Sequence, residues 1–426
     1  MFQKRKVRQD GWYIKKSFPH FDLPLNFEEA KTIVTDPIYV SHKSFWPFIG
    51  FVDQKRKFKK IDGEVTIKLK ERPLRYCSHH DGYVHSYYAA QLTAKYEARI
   101  KAEKIDNVVI GYRQNVGTNV HMAKAAFDEI RRRGDCVVIA LDIESFFDSI
   151  DHRILKANLQ SVLGVPRLTT DWFKIFRSMT EYSWVEIASL AQRLDFDVRE
   201  PPRPLCSAPE FRKIVRGDDG VLPSVVQTNA KNYGIPQGSP ISAVFSNVYM
   251  LCFDQACVKH FDVIDVFFRR YSDDIIAICN ASQQAAVINF ITNEISNLGP
   301  SMKVSAEKTE TSSFSFSLDG ALSCDRPITY LGLTFDGART LLRGRTVSRY
   351  YRRMTYAARH TAKTAARAKS KKIFMRKLYS DLSHLGKQNF YSYAKSAAAT
   401  LGDNAPVRQL RRHVKILRRK VTTLGR

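Results

Sequence analysis

Long apolar runs and a cysteine framework are both missing from this 426-residue sequence. No stretch of about 18 apolar residues occurs, so no membrane-spanning helix is expected. Met1–Lys6 is charged and no apolar segment follows it, so no secretory signal is predicted. The seven cysteines form no CxxC pair and have no histidine at zinc-ligand spacing, which indicates reduced core residues. We therefore expect a soluble cytoplasmic protein with no membrane partner.

Acidic residues are scarce in the last fifth of the chain. Between residues 341 and 426 there are 23 lysines and arginines but only two acids, Asp381 and Asp403, whereas the other residues include 45 basic and 40 acidic ones. This concentration of charge predicts binding to nucleic-acid phosphates and a strong dependence on salt. A solvated basic tail is the alternative. Aromatic residues spread through the same region favour a folded basic domain: Tyr350, Tyr351, Tyr356, Phe374, Tyr379, Phe390, Tyr391 and Tyr393.

Apolar residues make up 44% of the chain and aromatic residues 12%, as in an ordinary folded protein. The length predicts about two to four structural units packed into one body. Apolar residues recur at helical spacing over 83–104, 120–133, 239–259 and 283–297, and most of 347–425 is also predicted helical. Prolines crowd the stretch 195–232, which predicts a surface insertion or a long loop.

Carboxylates follow two predicted strands. Asp142 comes directly after the apolar run Val137–Leu141, and Asp273 and Asp274 lie between the apolar runs Val263–Arg270 and Ile275–Cys279. Runs separated by only four residues predict a β-hairpin with the two acids at its turn. Nucleotidyl transfer uses two divalent metals, and magnesium prefers a few carboxylates at such positions. An ordinary hairpin turn is an equally good interpretation of Asp273-Asp274 taken alone.

A second Asp-Asp pair in the same chain serves as a control. Asp218-Asp219 follows Gly217 inside the proline-rich stretch 195–232, without apolar strand-like residues on both sides. Such flanks cannot hold carboxylates on rigid strands, so we predict a surface turn there. Gly234–Asn247 lies between the candidate carboxylates, and its Gly/Pro-rich loop runs directly into an apolar helix. The amide of Gln237 in this loop can contact the base pair or sugar of a nucleotide, although a plain helix-capping loop is the alternative.

The order of these segments resembles the palm motifs of reverse transcriptases. The segments are ALDIESFFDSIDH (140–152), GIPQGSPISAVFSN (234–247), RRYSDDIIAI (269–278), Lys308-Thr309 and Tyr330–Leu333. The resemblance is greatest to the bacterial branch that contains group II intron, retron and defence-associated enzymes. Segments 77–92 and 112–119 are more similar to the stand-alone anti-phage type, of class 2, than to intron maturases.

By this resemblance, Asp142, Asp273 and Asp274 are the catalytic metal ligands, and the backbone carbonyl of Ile143 adds a further oxygen. The resemblance implies two Mg²⁺ ions, with Mn²⁺ as a substitute. It also implies that Phe147 is an aromatic gate that excludes a ribose 2′-hydroxyl, so that deoxynucleotides are preferred. A core aromatic is the alternative for Phe147, because Phe146 beside it points the other way.

The resemblance also implies nucleotide and primer contacts. Arg113, in the segment Val109–Arg113, corresponds to a triphosphate clamp, with a surface salt bridge as the alternative. Arg72 and Arg75 are candidate helpers between which the sequence does not choose. Lys308 corresponds to a lysine near the leaving pyrophosphate, and Tyr330, Leu331 and Gly332 form the expected primer grip.

The implied fold class is α+β, a right-hand polymerase with fingers, an antiparallel palm and a helical thumb. The expected boundaries are an N-terminal extension and fingers at 1–135, a palm at 136–337 with the insertion near 195–232, and a basic thumb at 338–426. The implied activity is RNA-directed DNA synthesis from dNTPs on a structured non-coding RNA, with an RNA/DNA duplex as product and a role in anti-phage defence. A retron-type enzyme and a maturase-like RNA-binding protein are the alternatives. The sequence leaves the identity of the RNA, the priming mode and the oligomeric state open.

Overall fold

The computed structural model describes residues 9–61, 64–114, 116–196, 203–368 and 375–424. Met1–Lys6, two prolines of the expected insertion (Pro201 and Pro202) and Phe374 of the basic region lie outside the described residues. No helix in the described ranges is long and apolar enough to cross a membrane.

Helices and short strands alternate before the first candidate carboxylate. The elements are α1 (Phe27–Val34), α2 (Pro37–His42), β1 (Phe48–Val52), β2 (Lys55–Ile61), β3 (Glu64–Lys70), β4 (Pro73–Tyr76), α3 (His79–Ala102) and α4 (Asn119–Arg133). β2 and β3 form a separate two-stranded antiparallel sheet. Helix α3 begins earlier than predicted, because the Ser78 side chain accepts a hydrogen bond from the Asp81 backbone and caps it.

The central part of the chain contains the strands that carry the carboxylates. Its elements are β5 (Cys136–Asp142), α5 (Phe146–Ser149), α6 (His152–Leu163), α7 (Thr170–Thr180), β6 (Ser183–Glu186), α8 (Ile187–Leu194), α9 (Ala208–Glu210), a π-helical turn (Phe211–Arg216), β7 (Gln227–Thr228), α10 (Ser242–Tyr249), α11 (Leu251–Phe261), β8 (Phe267–Tyr271), β9 (Asp274–Cys279), α12 (Gln284–Asn297), β10 (Glu310–Phe316), β11 (Leu322–Cys324), β12 (Ile328–Tyr330) and β13 (Leu333–Phe335). The predicted helix 239–259 is therefore two helices, α10 and α11, which meet at Met250.

The main sheet has the strand order β11-β10-β5-β9-β8, and all its pairings are antiparallel. Both of its faces are buried. Val137, Ile139 and Leu141 of β5 pack into one hydrophobic cluster with α3, α6 and α10 to α12, while Cys136 and Val138 pack into a second cluster with α4. Because side chains alternate across a strand, a continuous apolar run is what a sheet covered on both faces requires.

A smaller sheet has the order β4-β1-β6-β7. Its strand β1 pairs antiparallel with β4 and parallel with β6. The prediction of an irregular loop over 195–232 is wrong for part of this stretch. Phe211 and Val215 of the π-helical turn are buried in a third hydrophobic cluster with Ile49 and Val185 of this sheet. The proline-rich composition concealed this packing, since its partners lie far away along the chain.

The basic C-terminal region is folded, as predicted. It consists of β14 (Thr340–Leu342), which pairs with β13, and helices α13 (Gly344–Arg367), α14 (Arg376–Leu382), α15 (Phe390–Leu401), α16 (Ala405–Arg408) and α17 (His413–Leu424). The buried residues of α13 recur every three or four positions: Tyr350, Met354, Ala358, Ala362 and Ala365. Tyr350, Met354 and Ala358 of this stripe pack into the second cluster, so the arginines of α13 remain on its opposite, exposed face.

Candidate active site

The hairpin of β8 and β9 brings the predicted carboxylates together. In the register of the sheet, Asp142 at the end of β5 lies directly opposite Asp274 at the start of β9. Tyr271 pairs with Asp274 across the hairpin, which leaves Ser272 and Asp273 as a two-residue turn. Ser272 adopts a left-handed φ of 59°. This conformation is typical of tight hairpin turns.

Backbone hydrogen bonds fix the relative positions of the turn and the end of β5. The amide of Ile143 donates to the carbonyl of Asp273 at 3.1 Å, and the amide of Ser305 donates to the carbonyl of Asp142 at 2.8 Å. Ile143 is buried and forms an isolated bridge with Val304. These contacts place the Asp142, Ile143 and Asp273 backbones in one rigid unit.

Like charges and burial act on the carboxylates of the turn. Burial and then the carboxylates of Asp273 and Asp142 raise the pKa of Asp274 to about 6. The pKa of Asp273 is also raised, chiefly by burial, with a contribution from Asp142. The ammonium group of Lys308 forms an ion pair with Asp142. Burial and the neighbouring carboxylates thus both disfavour the ionised forms of Asp273 and Asp274, and a bound cation would favour them.

The sequence analysis missed an ion pair that links the hairpin to α11. The guanidinium of Arg270, in β8, donates to both carboxylate oxygens of Asp254 in α11 at 2.6 Å, and neither side chain has any exposed surface. Arg270 also donates to the carbonyl of Ser272 at 3.1 Å. An arginine inside a predicted buried strand was the available signal, because a buried charge requires a partner.

The segment that precedes Arg113 also packs against the turn. The Ile110 amide donates to the carbonyl of Arg270, and the Arg270 amide donates to the carbonyl of Val108, each at 2.9 Å. A Cβ atom at Gly111 would lie 2.6 Å from the amide nitrogen of Ser272. Glycine is therefore required at 111 because the turn approaches its backbone closely.

Arg113 is not available as a triphosphate clamp. Its guanidinium donates to both carboxylate oxygens of Glu97, at 2.8 and 2.6 Å, and to the backbone carbonyls of Asp106 and Val109, and its side chain is 7% exposed. These contacts favour the salt-bridge alternative for Arg113, although the arginine is buried rather than on the surface. The reason is a partner on α3, 16 residues earlier in the chain.

Arg72 is better placed than Arg113 to contact a triphosphate near the carboxylates. It lines a cavity of about 700 Å³ that is also lined by Asp142, Asp274 and Lys308. Arg75 is not part of this lining. Its guanidinium packs over the ring of Trp184 at 4.4 Å from the centroid, and its amide donates to the carbonyl of Gln237 at 2.9 Å. The structure thus separates the two helpers: Arg72 faces the carboxylates, and Arg75 supports the Gln237 loop.

The loop that carries Gln237 is held on several sides. A Cβ atom at Gly238, whose φ is 135°, would lie 2.3 Å from the carbonyl oxygen of Arg75. The Ser239 hydroxyl lies 3.0 Å from Nδ1 of His85 in α3, and burial lowers the pKa of this histidine to about 3. His85 is therefore neutral and links the loop to α3. The sequence analysis did not identify it.

Phe147 lies beside the same loop. Its carbonyl accepts a hydrogen bond from the Ile235 amide at 2.9 Å. Its side chain is partly buried, and its ring centroid lies 5.4 Å from that of Phe146, which is fully packed in the core. Phe146 is thus the core member of the pair, and the ring of Phe147 is the more accessible one.

The expected primer-grip residues form a tight hairpin turn. Tyr330 ends β12, and Leu331 and Gly332 have positive φ values of 45° and 88°. The three residues line the same cavity as Asp142 and Asp274. Asn119, which the sequence analysis did not single out, donates to the carbonyl of Leu331 at 2.9 Å and to the hydroxyl of Tyr393 at 3.1 Å. It therefore connects this turn to α15.

The carboxylate oxygens of Asp142, Asp273 and Asp274 suit a hard divalent ion such as Mg²⁺. The described residues nevertheless contain no group of three or more His, Cys, Asp or Glu side chains arranged as a finished metal site. The ammonium group of Lys308, which is ion-paired with Asp142, lies beside these carboxylates. The chemistry and the register of the carboxylates fit a divalent ion.

The control pair lies in different surroundings. Asp218 is exposed and forms an ion pair with Arg216, two residues away. Asp219 accepts a hydrogen bond from the Val221 amide at 3.1 Å. The prediction of a surface turn at Gly217-Asp218-Asp219 is confirmed.

A comparison with protein families identifies one matching domain. Residues 221–335 match the family described as "Reverse transcriptase (RNA-dependent DNA polymerase)", which is a nucleotidyltransferase domain. The matched range includes Asp273, Asp274, Gln237, Lys308 and the turn at 330–332, while Asp142 and Phe147 precede it. No curated protein matches the chain. The expected α+β fold class, with antiparallel sheets and helices, is confirmed.

Among solved structures, the chain is similar to yeast telomerases. The apo telomerase of Candida tropicalis truncated from its C-terminal domain is 13% identical, with a TM-score of 0.43, and the alignment covers 67% of this chain and 54% of that one. The apo telomerase of the same organism is 13% identical, with a TM-score of 0.41 and coverages of 93% and 70%. The chain thus spans about half the length of the truncated telomerase.

Proposed function

We propose that this chain is an RNA-directed DNA polymerase that extends a 3′-hydroxyl with deoxynucleotides. The observation that carries the proposal is the register of β5 and β9, which sets Asp142 opposite Asp274 with Asp273 at the adjoining turn. Rigid strands deliver all three carboxylates to one edge of the sheet. The matching reverse transcriptase domain supports the same chemistry.

Asp142, Asp273, Asp274 and the carbonyl of Ile143 would hold two Mg²⁺ ions, for which Mn²⁺ can substitute. When bound, such ions activate the attacking hydroxyl and neutralise the triphosphate. In this assignment Lys308 moves from Asp142 toward the leaving pyrophosphate, and Arg72 replaces Arg113 as the cation that binds the triphosphate. Both cations line the cavity that contains Asp142 and Asp274.

The base and the sugar of the incoming nucleotide are assigned to the loop at 234–239 and to α5. Gln237 contacts the base pair or sugar, and the ring of Phe147 occupies the space of a 2′-hydroxyl. His85 and Arg75 are positioning residues in this scheme, because each fixes the loop rather than the nucleotide. Tyr330, Leu331 and Gly332, which line the cavity with Asp142 and Asp274, hold the primer end.

The regions then take the names of a polymerase hand. Residues 1–135 form an N-terminal extension and fingers, 136–337 form the palm with an insertion near 195–232, and 338–426 form the thumb that follows the RNA/DNA product. The exposed arginine face of α13 supports the last assignment, because phosphates bind such faces.

We place the enzyme in the cytoplasm, where its seven free cysteines stay reduced. Its template is a structured non-coding RNA, and its role is anti-phage defence of the stand-alone bacterial type. The resemblance of the palm motifs supports both assignments. Sequencing the RNA that co-purifies with the chain tests the template. One enriched structured species supports the proposal, and a random sample of cellular RNA contradicts it.

Primer extension on an RNA template tests the activity itself. Wild-type protein with Mg²⁺ should extend a DNA primer with dNTPs and not with rNTPs, and Phe147→Ala should raise rNTP incorporation. Phe146→Ala is the matched control, since it removes a buried ring and should lower stability without changing the sugar preference. Product from rNTPs alone would contradict the proposal, and unchanged discrimination by Phe147→Ala would assign that ring to packing.

A further inference from the structure

A second cavity lies in the C-terminal region, between α13 and α14. Its volume is about 510 Å³, and its lining includes Arg349, Arg352, Arg353 and Tyr356 from α13 and Asp381 from α14. Cavities of roughly 300–1,000 Å³ are typical of sites for small ligands. The cavity is open to solvent on one side, and its arginines and Tyr356 are exposed.

The three arginines of this cavity are exposed and lie on successive turns of one helix. In the part of the chain that the structure describes, none of them forms an ion pair or a hydrogen bond. Guanidinium groups without a carboxylate partner bind phosphate oxygens strongly and in a fixed geometry. The cavity is therefore suited to a phosphate-bearing ligand.

The position of the cavity indicates which phosphate-bearing ligand reaches it. Arg349 lines this cavity and also the cavity that contains Asp142 and Asp274. With a rise of 1.5 Å per residue, Tyr356 lies about 10 Å further along α13 than Arg349. A nucleic-acid strand that leaves the carboxylates along α13 therefore passes over the second cavity.

Two other side chains indicate that a base enters the cavity. The ring of Tyr356 is 73% exposed, and its nearest ring neighbour is His360, at 6.4 Å between centroids. Bases within a duplex are already stacked on each other, so an exposed ring offers a stacking surface only to an unpaired base.

Asp381 is the second of these side chains, and a carboxylate is not expected in a site that binds phosphates alone. It is one of only two acids between residues 341 and 426, and its carboxylate repels phosphate. A carboxylate instead accepts hydrogen bonds from N–H donors on a base edge. Guanine presents two such donors side by side, whereas uracil flanks its single donor with two carbonyl oxygens.

We propose that the cavity between α13 and α14 binds one unpaired nucleotide of an RNA strand. Arg349, Arg352 and Arg353 bind its phosphates, Tyr356 stacks on its base, and Asp381 selects guanine. The site lies outside the nucleotide-addition site and distinguishes a strand with an unpaired guanine from a uniform duplex. The proposal rests on the proposed function in one respect, namely that the chain works on RNA.

Fluorescence anisotropy with the full chain tests the stacking. The probes are a nine-nucleotide uridine RNA with one central guanine, the same RNA without guanine, and a blunt RNA/DNA duplex of equal length. Tyr356→Ala should weaken binding of the guanine RNA about tenfold, since stacking contributes roughly 1–3 kcal/mol per base, and should change duplex binding less than twofold. Equal losses on both probes, or no loss on either, overturn the proposal.

A charge-matched pair of variants tests the arginines. Arg352→Gln with Arg353→Gln removes two charges from the cavity, and Arg411→Gln with Arg412→Gln removes two exposed charges from the same region outside its lining. The first variant should reduce the salt dependence of single-strand binding by about 1.4 in the log–log slope, and the second should reduce it by less than half as much. Equal reductions of the slope by the two variants would indicate that these arginines contribute diffuse positive charge and do not form a defined site.

Asp381→Asn tests the base selection. The wild-type chain should bind the guanine RNA several-fold more tightly than the uridine RNA, and the variant should lose this difference while binding both at least as tightly. A preserved difference contradicts the role of Asp381. Primer extension by the wild type and the same variants separates the two proposals. Synthesis by a chain whose binding shows no guanine preference refutes only this site. Guanine-selective binding by a wild-type chain that synthesises nothing refutes only the polymerase.

Discussion

Asp218-Asp219 and Asp273-Asp274 are the same dipeptide in two different surroundings. The first pair lies at an exposed turn, where Arg216 neutralises Asp218. The second lies on a hairpin whose strands are buried on both faces, opposite a third carboxylate. The comparison shows that the same two residues lie on rigid, buried strands in one place and at an exposed turn in the other, and only the first setting brings them opposite a third carboxylate.

The largest expected difference between the pairs is in the rate of nucleotide addition. Asp273→Asn with Asp274→Asn should reduce the single-turnover rate at least about 10³-fold, because metal stabilisation of the transition state contributes several kcal/mol. Asp218→Asn with Asp219→Asn removes the same charges from the surface turn and should leave the rate within twofold. Comparable losses of rate in the two double variants would show that the two Asp-Asp pairs do not differ in their role.

The second difference concerns stability. Asp254→Asn leaves Arg270 buried without its charged partner and should lower the free energy of unfolding by about 3–5 kcal/mol, measured by denaturant titration. Asp218→Asn breaks a pair on the surface and should leave the denaturation midpoint unchanged. An unchanged midpoint for Asp254→Asn would show that the ion pair does not hold the hairpin.

Glycines near the two turns give a third contrast. At Gly111, an added Cβ collides with the backbone of Ser272, so Gly111→Ala should displace the catalytic turn and reduce kcat roughly 100-fold. At Gly220, whose φ is 72°, the added Cβ meets open space, so Gly220→Ala should cost only about 1 kcal/mol of stability with kcat unchanged. Steady-state kinetics of the two variants separates displacement of the site from general loss of stability.

The smallest difference is in the pH dependence of stability without added metal. The folded state raises the pKa of Asp274 to about 6, so ionisation of this group destabilises the fold as pH rises from about 4 through 6. Asp274→Asn should therefore raise the Tm at pH 7.5 by on the order of 1–3 °C, with the gain disappearing near pH 4.

Asp218 provides the opposite sign in the same thermal scans. Its hydrogen bonds to Arg216 lower its pKa, so its ionised form contributes stability above the unfolded pKa. Asp218→Asn should therefore not raise the Tm at pH 7.5. A rise in Tm for Asp218→Asn, or a pH-independent rise for Asp274→Asn, would show that ionisation of the buried Asp274 carboxyl does not cause the difference in stability.

Local patterns in the sequence were sufficient for the carboxylates. Apolar runs on both sides of Asp273-Asp274 predicted the hairpin, and the structure confirms it, although β8 begins at Phe267 rather than near Val263. The basic region was predicted to fold because of its interleaved aromatics, and it is folded, although on α13 only Tyr350 of these aromatics is fully buried and the rest of the buried stripe is Met354 and three alanines. In each case the deciding residues are neighbours in the sequence.

Contacts between distant segments account for what the sequence did not reveal. Glu97 neutralises Arg113 from another helix, and Asp254 does the same for Arg270. The insertion packs Phe211 into a cluster with Ile49 of β1, which precedes it by more than 150 residues, and with Val185 of β6. A side chain's partner across the fold cannot be read from spacing, so the role of an isolated arginine was the least predictable part of the site.

Counting bound Mn²⁺ by electron paramagnetic resonance, with RNA/DNA hybrid and dNTP present, tests the central claim most directly. We predict two ions per chain for the wild type, two for Asp218→Asn with Asp219→Asn, and at most one for Asp273→Asn with Asp274→Asn. Two tightly bound ions in the last variant would contradict the assignment of the metal site to the β8–β9 hairpin.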